Sequence, residues 1–145
     1  MNNYKTLLLA IDLSEETTQL IDKAKNLAHA NNAALHVLHV IEPLSFAYGG
    51  DVPMDFSSIQ DEIQKQAQTQ LSDFSNSHGI ATEHQHITIG RPENEIHEVA
   101  DKIAADLIIV GSHGRHGLAL LLGSTANDVL QGATCDVLAV RVTDD

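Results

Sequence analysis

Two kinds of apolar pattern alternate along the chain. Leu7-Leu8-Leu9-Ala10-Ile11 is an unbroken apolar run closed by Asp12-Leu13-Ser14, the pattern of a strand buried on both faces of a parallel sheet. Behind it, Leu20, Ile21, Ala24, Leu27 and Ala28 recur at helical spacing, with Ser14 as cap and Glu15 and Glu16 in the first turn. A helix to about Asn32 is expected. Residues 34–41 repeat the strand pattern, and Ile59, Ile63, Ala67, Leu71 and Phe74 mark one face of a second helix ending near Gly79. Residues 82–89 read as a third, more polar strand. After Gly90-Arg91-Pro92, the residues Ile96, Val99, Ala100, Ile103 and Ala104 form the sharpest amphipathic stripe in the chain. Leu107-Ile108-Ile109-Val110 is again wholly apolar and runs into Gly111-Ser112-His113-Gly114, which reads as a glycine-rich turn at the strand's carboxyl end. Ala126, Val129, Leu130 and Ala133 then give a short helix face, and a fifth strand follows from Val137.

Five strands alternating with four helices predict an α/β fold of one domain, residues 1–145: an open parallel five-stranded sheet with helices on both faces. The two most apolar strands, first and fourth, belong at its centre, which the order 3-2-1-4-5 satisfies. In that order the chain leaves the first strand toward one side and returns through the fourth on the other. A crevice should open between their carboxyl ends, with Asp12 and Gly111 facing each other across it. Residues 42–57, holding Pro43, Gly49-Gly50 and Pro53, leave the second strand on the same face. They are expected as a flap over the crevice or as a plain connector.

Charge narrows the partners. Against 20 Asp and Glu stand 8 Lys and Arg, a formal charge of −12, which repels nucleic acid and anionic lipid alike. Aromatics at 3% and the absence of Trp also remove the stacking platforms of a single-strand binder. No apolar run approaches the ~20 residues of a membrane span, so no membrane insertion is expected. The stretch after Lys5 is too brief for a signal sequence. Cys135 is the single cysteine, which rules out an internal disulfide and a cysteine-based zinc cluster and favours a reducing, cytoplasmic location.

The most informative chemistry lies in the last third. Gly111-x-x-Gly114, eight residues, then Gly123-Ser124-Thr125 before a helix brings close-approaching backbone N–H groups together with the positive end of a helix dipole, a cradle for phosphate. Ser124 and Thr125 add hydroxyl donors, and Arg115 either reaches a terminal phosphate or lies in solvent. The plainer reading is a tight turn at Gly111 and Gly114 with Ser124 as an ordinary helix cap. Neither a dinucleotide fingerprint nor a P-loop is present, since Asp12-Leu13-Ser14 follows the first strand and no Gly-Lys-Ser or Gly-Lys-Thr occurs. A phosphoacceptor receiver shares the layout but needs an Asp where Ile89-Gly90-Arg91 stands.

Nine histidines raise the question of a metal. His84-Gln85-His86 puts two imidazoles on one strand face, yet no third ligand is evident, and His36 and His39 have opposite parity on their strand. They are read as solvated strand residues, with no metal site. His113 sits in the glycine loop, near a ligand or idle. Cys135 reads as a small buried residue. No Ser-His-Asp or paired-carboxylate constellation appears, so a dedicated enzyme is not indicated.

With these residues in view, the sequence resembles the universal stress protein family. The resemblance runs through Tyr4-Lys5, Ala10-Ile11-Asp12-Leu13-Ser14, Leu38-His39-Val40-Ile41, Ala105 to Gly114, Leu121-Leu122-Gly123-Ser124 and Cys135-Asp136-Val137-Leu138-Ala139-Val140. It implies an adenine nucleotide alpha hydrolase-like fold and a stress-linked sensor or adaptor with an as yet unknown protein partner. One branch of the family binds ATP through Gly-x2-Gly-x9-Gly-(Ser/Thr), and this chain resembles that branch, with a second gap one residue shorter. Position by position, the resemblance implies Asp12 and the Val40 backbone beside the adenine, Gly111 and Gly114 at the ribose and first phosphates, and Gly123, Ser124 and Thr125 along the phosphate chain. Slow ATP hydrolysis, as in some members, stays compatible with it. A protein at −12 needs Arg115 and a phosphate-held Mg²⁺ or Mn²⁺ to receive ATP against its own field. ADP or AMP is an alternative occupant, and a nucleotide-free dimeric interaction module is the alternative function. Finally, the apolar edge Val137, Leu138, Ala139, Val140, Arg141 and Val142 invites pairing with a second copy about a two-fold axis, and the resemblance implies the same homodimer.

Overall fold

A computed structural model of the protein describes residues 4–13, 17–43, 56–113 and 124–142. The strands are β1 (Thr6–Ile11), β2 (Ala34–Ile41), β3 (Gln85–Ile89), β4 (Leu107–His113) and β5 (Asp136–Val142). Between them lie the helices α1 (Thr17–Asn31), α2 (Phe56–Ser77), α3 (Pro92–Ile103) and α4 (Ser124–Gly132), with a single 3-10 turn at Thr82–His84. All neighbouring strands are parallel, and the sheet order is β3-β2-β1-β4-β5, as the alternation of apolar patterns requires.

Leu7, Leu8 and Leu9 are each fully buried. Successive strand residues point to opposite faces, so three in a row can be buried only where both faces are covered. One face packs Leu7, Leu9 and Leu35 with Leu20, Ile21 and Ala24 of α1 and Leu71 of α2. The other packs Leu8, Leu38 and Ile108 with Ile96 and Val99 of α3 and Val129 of α4. Helices α1 and α3 close in the same way. Asn32 (φ 55°) and Ala104 (φ 57°) turn into the left-handed region, and the next amide, Ala33 or Ala105, donates back to the carbonyl of Ala28 or Ala100 at 2.8 Å. Gly79 (φ 75°) does the same after α2, where the absence of a Cβ removes the left-handed penalty.

Three boundaries differ from the sequence reading. The third strand starts at Gln85, because residues 82–84 wind into a 3-10 turn in which His84 N–H donates to the Ala81 carbonyl at 2.9 Å. The fourth strand continues through Gly111 to His113, because β5 keeps supplying ladder partners at Val140, Arg141 and Val142. Gly111 is therefore extended strand, and the expected turn does not begin there. Phe56 and Ser57, counted with the irregular stretch, are the first residues of α2. Residues 44–55 of that stretch lie outside the described residues, as does the cap at Ser14.

The amino end of β1 is tied down by side chains. The Asp106 carboxylate accepts the backbone N–H groups of Lys5 at 2.8 Å and Thr6 at 3.0 Å, and Asp106 N–H returns a bond to the Thr6 carbonyl at 2.9 Å. Tyr4 donates its hydroxyl to Asp136 at 2.9 Å, and that bond holds the phenol proton on, raising its pKa.

Candidate functional site

Past its midpoint the sheet divides. β1 pairs with β2 as far as Ile11 and His39, and β4 pairs with β5 as far as His113 and Val142. Between β1 and β4 the described pairing covers only Leu7–Leu9 against Leu107–Ile109. Ile11 and Gly111, each two residues further along, lie at the parting of the two central strands. This is the topological switch point, where the strand order reverses and parallel sheets hold their ligands.

Asp12 stands at that parting, exposed, immediately after β1. Leu13 (φ 62°) turns the chain away behind it. The Thr17 side chain, 1% exposed, donates from Oγ1 to Asp12 Oδ1 at 3.2 Å, so a buried hydroxyl orients an exposed carboxylate. From the neighbouring strand, His39 Nδ1 lies 3.0 Å from the Ile11 carbonyl oxygen. A carbonyl only accepts, so Nδ1 carries the proton of this bond. Neither Thr17 nor His39 stood out in the sequence. The sequence offers His39 as part of Leu38-His39-Val40-Ile41 and as a residue of opposite parity to His36, and nothing in one dimension shows a strand histidine reaching across to its neighbour's backbone.

Val40 is half-buried at the carboxyl end of β2 and pairs with Thr88 of β3. The Thr88 hydroxyl is buried with no hydrogen-bond partner among the described residues, a donor and acceptor that a ligand atom would satisfy. Gly111 is half-buried in β4 beside Val140. Ser124 and Thr125 open α4, whose first-turn backbone N–H groups have no helical acceptor. Gly114, Arg115 and Gly123 lie outside the described residues. The structure thus brings Asp12, Gly111 and Val40 to one end of the sheet.

The seat of α4 is fixed from α3. His97 reaches from α3 to the Val129 carbonyl at 2.8 Å through Nε2. A Cβ built on Gly132 would lie 2.6 Å from His97 Cε1, so the bare glycine makes room for the ring.

Three further features complete the chemistry. His36 faces His86 and stacks on His84, so the two imidazoles read from His84-Gln85-His86 gain a third from the neighbouring strand and are half-buried where the sequence suggested solvated residues. Burial, and then the carboxylates of Asp136, Asp106 and Asp101, raise the pKa of the half-buried Cys135 thiol, which keeps it protonated. Edge strand β5 borders a groove of about 570 Å³ lined by Tyr4, Leu27, Leu107, Val137 and the 60% exposed Leu130. Among the described residues no helix is long and apolar enough to cross a membrane, and no group of three His, Cys, Asp or Glu is placed to hold a metal ion.

The comparisons with known proteins agree with this architecture. Universal stress protein A homolog 1 of Coxiella burnetii is 43% identical over 139 residues, covering 95% of this chain and 96% of that one. A universal stress protein solved in complex with cAMP superposes with a TM-score of 0.58 at 26% identity, covering 94% of this chain and 96% of the other. The solved hypothetical protein MJ0577 shares the fold at a TM-score of 0.79 and 24% identity, with 98% of this chain and 99% of that one covered. Residues 3–141 match the sequence profile of the universal stress protein family. A match of that kind, over nearly the whole length of both chains, means that the chain belongs to the universal stress protein family.

Proposed function

We propose that the protein binds an adenine nucleotide at the parting of β1 and β4 and acts as a stress-linked sensor or adaptor, with no dedicated catalytic role. The observation that carries this reading is the early end of the β1–β4 ladder, with Asp12 held at its rim by the Thr17 hydroxyl. The residues fit the group: an oriented carboxylate for adenine or ribose donors, the Val40 backbone and the Thr88 hydroxyl, unpartnered among the described residues, on the β2–β3 side, a side-chain-free Gly111 in β4, and the orphan N–H groups of α4 for phosphate. Gly114, Arg115, Gly123, Ser124 and Thr125 complete the phosphate side by sequence. A related universal stress protein was solved with cAMP, which supports the nucleotide class. Mg²⁺ or Mn²⁺, held through phosphate oxygens and water, would offset the charge of −12. The protein pairs through β5, whose free edge is the natural contact for a second copy.

Purified protein, denatured and assayed for released nucleotide, tests the reading, followed by titration of ATP, ADP, AMP and cAMP with and without Mg²⁺. Released adenine nucleotide, or saturable binding of any one of these, supports it. No release and no binding of any of them leaves the nucleotide-free dimeric module in its place.

A further inference from the structure

At the amino ends of β2 and β3, remote from the nucleotide crevice, three imidazoles meet. The register pairs Val37 with Gln85 and Leu38 with His86, which sets His84 level with His36 and His86 two residues further along, level with Leu38, on the sheet face covered by α3. His36 Nδ1 and His86 Nε2 are 2.9 Å apart, with ring centres 5.2 Å apart and planes within 19°. Ring centres that far apart across so short a contact place the two nitrogens on the line between them. The rings are therefore nearly coplanar and bonded end to end. His84 lies over the face of His36 at 4.1 Å.

We infer that His36, His84 and His86 form an acid-sensitive latch, which holds edge strand β3 against β2 while the facing imidazoles share one proton and releases it when both become charged. Between the two facing nitrogens there is room for one proton. When both rings are neutral, one donates and the other accepts. A first added proton makes one ring a cationic donor to a neutral acceptor, which strengthens the bond. A second leaves two N–H groups pointing at each other with no acceptor between them, and two cations in contact. The pair thus tolerates one charge and opens on the second, a coupled titration of the cluster.

Among the described residues, the groups that act on the two rings all disfavour the second proton. Leu8 of β1 stands level with His36, and the charged group felt by His86 from α3 is Lys102. Burial first, then His84 and His86, lower the His36 pKa to about 4. Burial first, then Lys102 and His84, lower that of His86. A metal would need donors converging on a common point, and nitrogens that face each other in line do not offer one. The mechanical consequence falls on β3. It is five residues long, is not fully buried at any position, and is paired on one side only, so its release would bare the hydrogen-bonding edge of β2 for another strand.

Amide hydrogen exchange on the full chain, corrected for intrinsic rates and compared at about pH 7.5 and about pH 4.5, tests this. Protection of residues 85–89 should fall at least about tenfold more than that of β1 and β4, and His36→Leu should abolish the difference. In the parent protein, NMR titration should show His36 and His86 taking up protons in two separated steps below the ordinary histidine range. Parallel loss of protection across all strands, an unchanged loss in His36→Leu, or independent titration of the two rings near 6.5 would overturn the latch. If His36→Leu fails to fold, the two-step titration in the parent decides alone.

Discussion

His39 holds the Ile11 carbonyl oxygen at 3.0 Å through Nδ1, so the last residue of the central strand is braced by its neighbour just before the chain turns at Asp12. The bond ties the fold to the candidate site, because it fixes the backbone from which Asp12 projects. His39→Leu removes the donor while keeping a side chain of similar bulk. We expect a loss of about 1 kcal/mol in urea unfolding, together with weaker nucleotide binding. A variant that loses the stability but binds as tightly as the parent would confine His39 to folding.

The Asp106 carboxylate carries the amino end of β1 by accepting two backbone N–H groups, from Lys5 and Thr6. Bonds to a charged acceptor are the stronger kind, so Asp106→Ala should cost about 2 kcal/mol. Asp106→Asn keeps one acceptor oxygen and should cost roughly half as much. Denaturant midpoints of the three proteins check the order, and an Asn variant as unstable as the Ala variant would contradict it.

His97 and Gly132 are coupled through the space between α3 and α4. Gly132→Ala would place a methyl 2.6 Å from His97 Cε1, so the ring must leave the Val129 carbonyl or α4 must shift. Overpacking of this kind costs about 1–3 kcal/mol. In a His97→Ala background the same substitution meets open space and should be nearly neutral. A double-mutant cycle by thermal or urea unfolding measures the difference, and additive effects would show that the ring does not seat the helix.

Much of the fold was legible because its signals are local. Three consecutive buried leucines at Leu7–Leu9 and the stripe at Ile96, Val99 and Ala100 state their own periods, and placing the two wholly apolar strands at the sheet's centre then leads to the observed strand order. Of the candidate site, Asp12 and Gly111 were legible because both sit at the ends of wholly apolar strands. The extension of β4 past Gly111 was not, since it depends on β5 continuing alongside, and glycine's own preference argued for a turn. His36 and His86 were missed as partners for a related reason. Parity within one strand says which face a residue takes, but only the register between β2 and β3 says what it meets there.

Stability should fall in mild acid, and the sign follows from the two depressed imidazoles. His36 titrates at about 4 in the fold against an ordinary 6.5, and His86 is lowered as well. Between those values the unfolded chain binds protons that the native chain refuses, so stability is fully present above about pH 6.5 and declines as pH falls toward 4. Thermal midpoints across this range should drop in the parent and drop less in His36→Leu. Equal slopes in the two proteins would assign the acid sensitivity to other groups.

The two ends of a bound nucleotide should be separable by substitution. Asp12 is held by Thr17 on the side of the crevice proposed for adenine and ribose, which ATP, ADP, AMP and cAMP share. Asp12→Ala should therefore weaken all four by a similar factor, about tenfold, which is roughly 1.4 kcal/mol. Thr17→Val leaves the carboxylate in place without the Thr17 bond and should weaken all four less, with a small stability loss because that hydrogen bond is removed. Gly123→Val acts on the side proposed for phosphate, where a branched side chain in a cradle of backbone N–H groups would hinder the anion. Its effect should grow with phosphate number, from slight for AMP to largest for ATP with Mg²⁺. Isothermal titration of the four ligands against the three variants, with circular dichroism as the control for folding, reads both trends at once. If Asp12→Ala discriminates by phosphate number, or Gly123→Val weakens all ligands alike, the orientation of the nucleotide in the crevice is the reverse of the one proposed.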